Sequence, residues 1–180
     1  NIMEAKKVFG SELWGTLYTI ANDVKIQVEF NPAKVKAYRL IGYEQRILNH
    51  EDFNNDKKDA GDIGCGHTVT ALYEIVLADG ETSTPTVDPL VYTQQSLTRS
   101  NDLMTVKLRY KRPGEDTSNL ITHRVETGKV KATGNLLFAS AVAEFGMLLR
   151  ESEFKGTSSF TSALARAKEV KGKDEYGYKT

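Results

Sequence analysis

The stretch DAGDIGCGHTVTALYEIVL, Asp59 to Leu77, decides how this chain is read. It opens as a glycine-rich turn with Gly61, Gly64 and Gly66, then runs into the longest apolar strand candidate of the sequence. From Thr68 onward Val69, Ala71, Tyr73, Ile75 and Leu77 fall on one face and Thr68, Thr70, Leu72, Glu74 and Val76 on the other. The second face is mixed, which predicts an interior strand covered on both sides, with Val69, Tyr73 and Ile75 buried. The turn ahead of it predicts a positive φ or a bulge at Gly64 or Gly66.

Upstream, Val35 to Arg46 reads as a strand bent at Gly42, and Val24 to Phe30 as a half-buried strand. In the latter, Val24, Ile26, Val28 and Phe30 point inward and Lys25, Gln27 and Glu29 outward. Before it, residues 2–21 have a helical period, with Phe9, Leu13, Leu17 and Ile20 on one stripe, Ile2 two turns before Phe9 and Trp14 on the flank. Residues 49–62 are polar, acidic and turn-rich and read as a loop. Ala78 to Asn101 has no strong period beyond a short edge-strand candidate near Leu90–Tyr92.

Downstream, Leu103–Lys111 alternates cleanly, with its Lys107, Arg109 and Lys111 side expected to face solvent. The turn Arg112–Asp116 leads to Asn119–Glu126 as a hairpin partner. The period then changes to helical over Asn135–Glu151, with Asn135 as the expected N-cap. A last helix runs to about Val170, capped by Ser158 or Ser159 and stopped at Gly172. Strands followed by helices predict an α+β fold: an antiparallel β-sandwich with an N-terminal helix and two C-terminal helices.

The 180 residues suffice for a core without a staple, burying roughly 70% of the unfolded surface. Lysine plus arginine and aspartate plus glutamate balance at 24 each, which removes the bulk electrostatic case for nucleic acid or an anionic membrane. Cys65 is the one cysteine, so no internal disulfide forms. No apolar run approaches the ~20 residues that span a bilayer. The chain starts at Asn1 with no signal peptide and is expected to be a processed or truncated piece.

Few residue patterns point to chemistry. Gly61, Gly64 and Gly66 precede a strand, whereas phosphate-cradling loops sit between a strand and a helix N-terminus. Asp52, Asn54 and Asp56 have the 1-3-5 spacing of a calcium loop, but Lys57 and Ile63 stand where glycine and glutamate are required. A non-standard site would enlist Asp59 and Asp62. His50, His67 and His123 lack metal-ligand spacing. Cys65 and His67 are two apart and would share a face in a strand, the ground for a Cys–His hydrolase reading. No serine occupies a Gly-x-Ser-x-Gly elbow. Tyr92, Tyr110, Tyr176 and Tyr178 could make a sugar-stacking platform, a reading that loses to ordinary core and edge aromatics. The expectation is no catalytic residue, no bound metal and no cofactor.

The blocks VKIQVEFNPAKVKAYRLIGYEQR (24–46), DAGDIGCGHTVTALYEIV (59–76), MTVKLRYKRPG (104–114) and FASAVAEFGMLLRES (138–152) occur in the order of one known family. They resemble the C-terminal domain that follows a von Willebrand factor type A domain in bacterial YfbK-like proteins. The resemblance covers about residues 1–170. EAKKVFGSELWGTLYTIAND (4–23) looks like the end of the type A domain and its junction. That divides the chain into a junction, residues 1–22, and a C-terminal domain, residues 23–180. The resemblance implies an envelope-associated, extracytoplasmic protein, often a lipoprotein, and no enzyme. It implies the type A domain as partner, with that domain's metal site outside this chain. Cys65 stands where the family has a small residue, against a reactive thiol. The expected function is a non-catalytic accessory or interaction domain. The alternatives are a calcium-dependent module using Asp52, Asp56, Asp59 and Asp62, or a hydrolase using Cys65 and His67. If residues 2–21 closed the type A domain, Ile2 and Phe9 lose their cover while Leu17 and Ile20 pack on this domain. The stripe is then expected to dock on the C-terminal helices or on a second copy, as a dimer produced by truncation.

Overall fold

The computed structural model describes residues 2–11, 13–43, 47–80, 100–128, 131–172 and 174, with backbone alone at residues 3, 4, 11, 14 and 16. The edge-strand candidate at Leu90–Tyr92, the side chain of Trp14 and the rings of Tyr92, Tyr176 and Tyr178 lie outside the described residues. The chain forms two compact units, residues 1–127 and 128–180. The fold is α+β, as its strand-then-helix order predicts, with two antiparallel sheets in the first unit and a helical pair in the second.

The first unit begins with a short helix α1 (Ile2–Lys6), a π-helical turn (Lys7–Ser11) and a helix α2 (Leu13–Leu17). The helical period was expected to run to Ala21, but strand β1 (Thr19–Phe30) already begins at Thr19. Long-range pairing explains the difference. Thr19 and Ala21 pair with Gly64 and Ile63 of strand β3 (Gly61–Gly64), which overrides a weak local helical preference. Asn22-Asp23 is therefore a bulge within β1 rather than a helix stop. The register shifts there on both sides of the strand, and Asp23 adopts φ 51°. Leu17 and Ile20, expected to pack on the domain, are 63% and 53% exposed. The π turn contributes to this mismatch. It closes i→i+5 and rotates the stripe out of its ideal period.

β1 pairs along its second half with strand β5 (Asp102–Lys111), which forms a hairpin with strand β6 (Asn119–Glu126), as expected. The sheet order is β3-β1-β5-β6. Strands β2 (Val35–Ile41) and β4 (Leu72–Leu77) make a second, two-stranded sheet. This differs from the interior strand that the alternation over 68–77 predicts. Residues 68–71 are not in a strand, Val69 is 56% exposed, and among the described residues β4 pairs with β2 alone. Tyr73 and Ile75 are partly covered. Alternation reports that two faces differ; it does not report how many neighbours the strand has.

The two sheets meet at Phe30, the last residue of β1. Its ring stands 4.5 Å from that of Tyr38 on β2 and 5.3 Å, edge-on, from that of Tyr73 on β4. Phe30, Val35 and Phe53 are the buried apolar side chains described in this unit.

The second unit is a helical hairpin, α3 (Gly134–Leu149) and α4 (Phe160–Val170). Thr133, not Asn135, caps α3, its hydroxyl accepting the Leu136 amide at 3.2 Å. Ser159 caps α4 as expected, in a reciprocal capping box with Ser162. Ala141 and Ala163 are buried, and the rings of Phe145 and Phe160 meet edge-on at 5.9 Å. Glu144 is buried on α3. Its Oε1 accepts the Ser162 hydroxyl at 2.6 Å, and its Oε2 lies 2.9 Å from Nη1 of Arg166 on α4.

Because the buried Phe30 ring joins its own sheet to two aromatic rings of the other, Tyr38 and Tyr73, Phe30→Ala is expected to cost about 3–5 kcal/mol. Ile75→Ala in the two-stranded sheet is expected to cost less, about 1–2 kcal/mol. Urea denaturation of both variants checks the order; equal losses would show that the sheets are not held through Phe30.

Candidate functional site

The densest polar constellation lies where the acidic loop crosses β1 and β5. Register places Lys25 opposite Arg109, Gln27 opposite Lys107 and Asn22 opposite Lys111 on this face of the sheet. The sequence predicts this basic face to be solvated. The structure instead lays residues 50–62 across it. A 3-10 turn (His50–Asn54) inserts Phe53, which is buried, and the Arg109 guanidinium lies 5.7 Å from the centre of its ring.

The contacts are specific. Lys25 is buried, against the outward orientation expected of it, and its ammonium donates to the Asn55 carbonyl. Lys111 Nζ donates to Asp23 Oδ2 and to the Asp56 carbonyl, both at 2.7 Å. Asp23 Oδ1 accepts the Ala60 amide at 3.0 Å, and the Asp23 amide donates to Asp62 Oδ1 at 3.2 Å. Asp56 Oδ2 accepts the Ser118 amide at 3.3 Å, while the Ser118 hydroxyl accepts Arg109 Nη1 at 2.8 Å. Gln27 and His50 approach at 3.4 Å. Arg109 Nε is buried with no hydrogen-bond partner among the described residues.

The electrostatics follow from these contacts. The Lys111 ammonium, then the Ala60 amide, hold the Asp23 carboxyl below the ordinary carboxylate value. Hydrogen bonds from Ser118 do the same for Asp56. Asp23 in turn raises Lys111. Away from this face, burial and then the neighbouring Tyr38 push the Tyr73 phenol up.

The candidate calcium ligands do not converge on one point. Asp52 lies 3.7 Å from Lys58, Asp56 is bound to Ser118, Asp62 takes the Asp23 amide, and Asp59 neighbours Asp23. Where a hard cation would gather carboxylates and carbonyls, Lys25 and Lys111 supply the positive charge. Among the described residues, no three His, Cys, Asp or Glu side chains group as metal ligands. The ground for a Cys65–His67 pair also changes. The two residues are exposed, and residues 65–66 form a turn in which Gly66 has φ 78°, so the strand that would have aligned them is absent. The positive φ itself is as the glycine turn predicts. The basic strand face and the acidic loop lie far apart in the sequence, and neither by itself shows that it meets the other. The alternation of Lys25, Lys107, Arg109 and Lys111 was the signal that the two could pair.

Residues 15–180 match the family described as the C-terminal region of the uncharacterized protein YfbK. The chain belongs to this family. It is 39% identical over 183 residues to the uncharacterized protein YfbK of Escherichia coli (strain K12), a match covering 99% of this chain and 31% of that protein. The chain thus spans less than a third of the length of this relative. No solved structure matches the chain. No helix among the described residues is long and apolar enough to cross a membrane.

Two expectations follow for the loop. The stability that Asp23 contributes is complete above its ordinary value of 3.8 and is lost as pH falls through its lower folded value. The Lys111 contribution is complete below 10.5 and is lost as pH rises through its higher folded value. Asp23→Asn keeps an acceptor for Ala60 and tolerates the left-handed backbone, so it isolates the charge. Its melting-temperature deficit should be constant across the neutral range, shrink below pH 4 and shrink again above pH 10.5. A deficit independent of pH would refute the ion pair as its source. Separately, calcium added to millimolar concentration should give no binding heat and no rise in melting temperature; a saturable heat removed by Asp56→Asn would restore the cation reading.

Proposed function

We propose that the chain is a non-catalytic accessory domain of a bacterial cell-envelope protein that carries a von Willebrand factor type A domain ahead of it. One observation carries the reading. Residues 1–14 precede the family region yet lie almost wholly within the match to the longer relative. In that segment Ile2 is 85% and Phe9 74% exposed. Two large apolar side chains left this exposed on one short segment are what an association surface offers. The occupant we assign to them is a body ahead of this segment in the longer protein, and the resemblance makes a type A domain the expected one. The extracytoplasmic placement, often as a lipoprotein, comes from the same resemblance. The loop's Asp52, Asp56 and Asp62 are engaged by Lys58, Ser118 and the Asp23 amide, which supports a structural role for it over a calcium-dependent or hydrolytic one. In the isolated chain the same stripe favours a truncation dimer, which the parent would not form.

Hydroxyl-radical footprinting tests the reading. Phe9 should be oxidised several-fold more slowly in the full-length parent than in the 180-residue chain, and equal rates would overturn the docking. Recombinant type A domain should also bind the isolated chain. Phe9→Ser should weaken that binding by about 2 kcal/mol, roughly thirtyfold in Kd.

A further inference from the structure

The junction between the N-terminal helices and the sheet is built without slack. α2 ends at Leu17 and β1 begins at Thr19, so Tyr18 is the whole connection. The Tyr18 carbonyl accepts the Cys65 amide at 2.8 Å, next to the Thr19–Gly64 pair. The helix also rests backbone against backbone on the turn beside it. A Cβ on Gly64 would collide with the Gly15 carbonyl. A Cβ on Gly15 would stand 2.6 Å from the Cys65 carbonyl and 2.9 Å from the His67 ring. Side chains at these positions would force the two segments apart, so the contact requires glycine at both. Gly10, one turn earlier, has nothing within 4 Å of an added Cβ. Nor does the junction LWGTLYTIAND, 13–23, resemble a flexible linker. It has no proline, and its one glycine is occupied in the contact.

The helix is therefore held at two points, covalently through Tyr18 and sterically through Gly15. Resting on the reading that a further body of the parent precedes residue 15, we propose that the Gly15–Gly64 contact is a rigid elbow. It sets the direction in which that body leaves the sheet, so the two domains keep one relative orientation. The preceding domain is then presented at a fixed angle and does not swing on a tether. The apolar stripe and the elbow have separate tasks: the stripe supplies adhesion, and the elbow supplies the angle.

The test uses the full-length parent with Gly64→Ala, Gly15→Ala and Gly10→Ala. Small-angle scattering reads domain orientation, hydrogen exchange reads the Cys65 amide, and Phe9 footprinting reads docking. Gly64→Ala should speed Cys65 exchange at least tenfold and broaden the pair-distance distribution, while Gly10→Ala leaves both as in the wild type. Gly15→Ala, which meets the same turn from the helix side, should reproduce the effect and serves as the readout if Gly64→Ala does not fold. Released Cys65 exchange with an unchanged distribution would overturn the elbow. So would a wild-type distribution already as broad as that of two freely tethered bodies. Phe9 unprotected in a parent whose distribution still responds to Gly64→Ala would remove the docking reading and leave the elbow standing.

Discussion

The Lys111 ammonium, held between the Asp23 carboxylate and the Asp56 carbonyl, is the contact that ties β1, β5 and the loop across them into one body. Isolated surface ion pairs contribute little. This one differs in what it joins. Asp23 lies on the bulge of β1, Lys111 ends β5, and Asp56 belongs to the loop that roofs both. A single nitrogen thus fixes three segments far apart in sequence. Lys25 repeats the device on the Asn55 carbonyl. Donating to backbone carbonyls sets the path of the loop as well as neutralising its charge. With that path set, Phe53 reaches its buried position beside Arg109.

Asp23 shows how such a contact is reconciled with strain. A left-handed non-glycine residue is unfavourable, though aspartate tolerates it better than most. Here it lets one strand serve two partners: β1 pairs with β3 over Thr19–Val24 and with β5 over Asn22–Phe30. The carboxylate offsets the backbone cost by binding Lys111 and Ala60. The bulge also separates the junction-bearing end of β1 from the half that carries Phe30. The helix contact at Gly15 and the sheet contact at Phe30 are thus consequences of one bent strand.

Much of this was legible in the chain. The β5–β6 hairpin has alternation on both strands and a Pro-Gly turn between them, all local signals. The α3–α4 hairpin has helical periods, a serine cap and a glycine stop, and Gly66 has the expected φ. What was not legible depended on distant segments. Thr19–Asn22 fits a helical period as well as it fits a strand, and only Ile63 and Gly64, some forty residues away, decide between them. Lys25 alternates like a solvated residue, and only the later acidic loop buries it. The strand at Leu72–Leu77 alternates like an interior strand, yet the described residues give it one neighbour. Alternation is set by a strand's own two faces, whereas burial is set by what the rest of the chain brings to them.

The same economy governs both units. Phe30, Val35 and Phe53 in one and Ala141 and Ala163 in the other are the buried apolar side chains described. Polar anchors carry a correspondingly large share of the order: Lys25 and Lys111 in the first unit, Glu144 in the second. Such anchors specify geometry more than they add net stability. Large apolar residues, Phe9 among them, meanwhile stand at the surface. Whatever covers them binds the folded chain and not the unfolded one, and so stabilises the fold by linkage. In the proposed parent protein, docking of the preceding domain and folding of this one are then a single equilibrium. On that proposal, the residues that look poorly packed in isolation are the ones through which the two domains would stabilise each other.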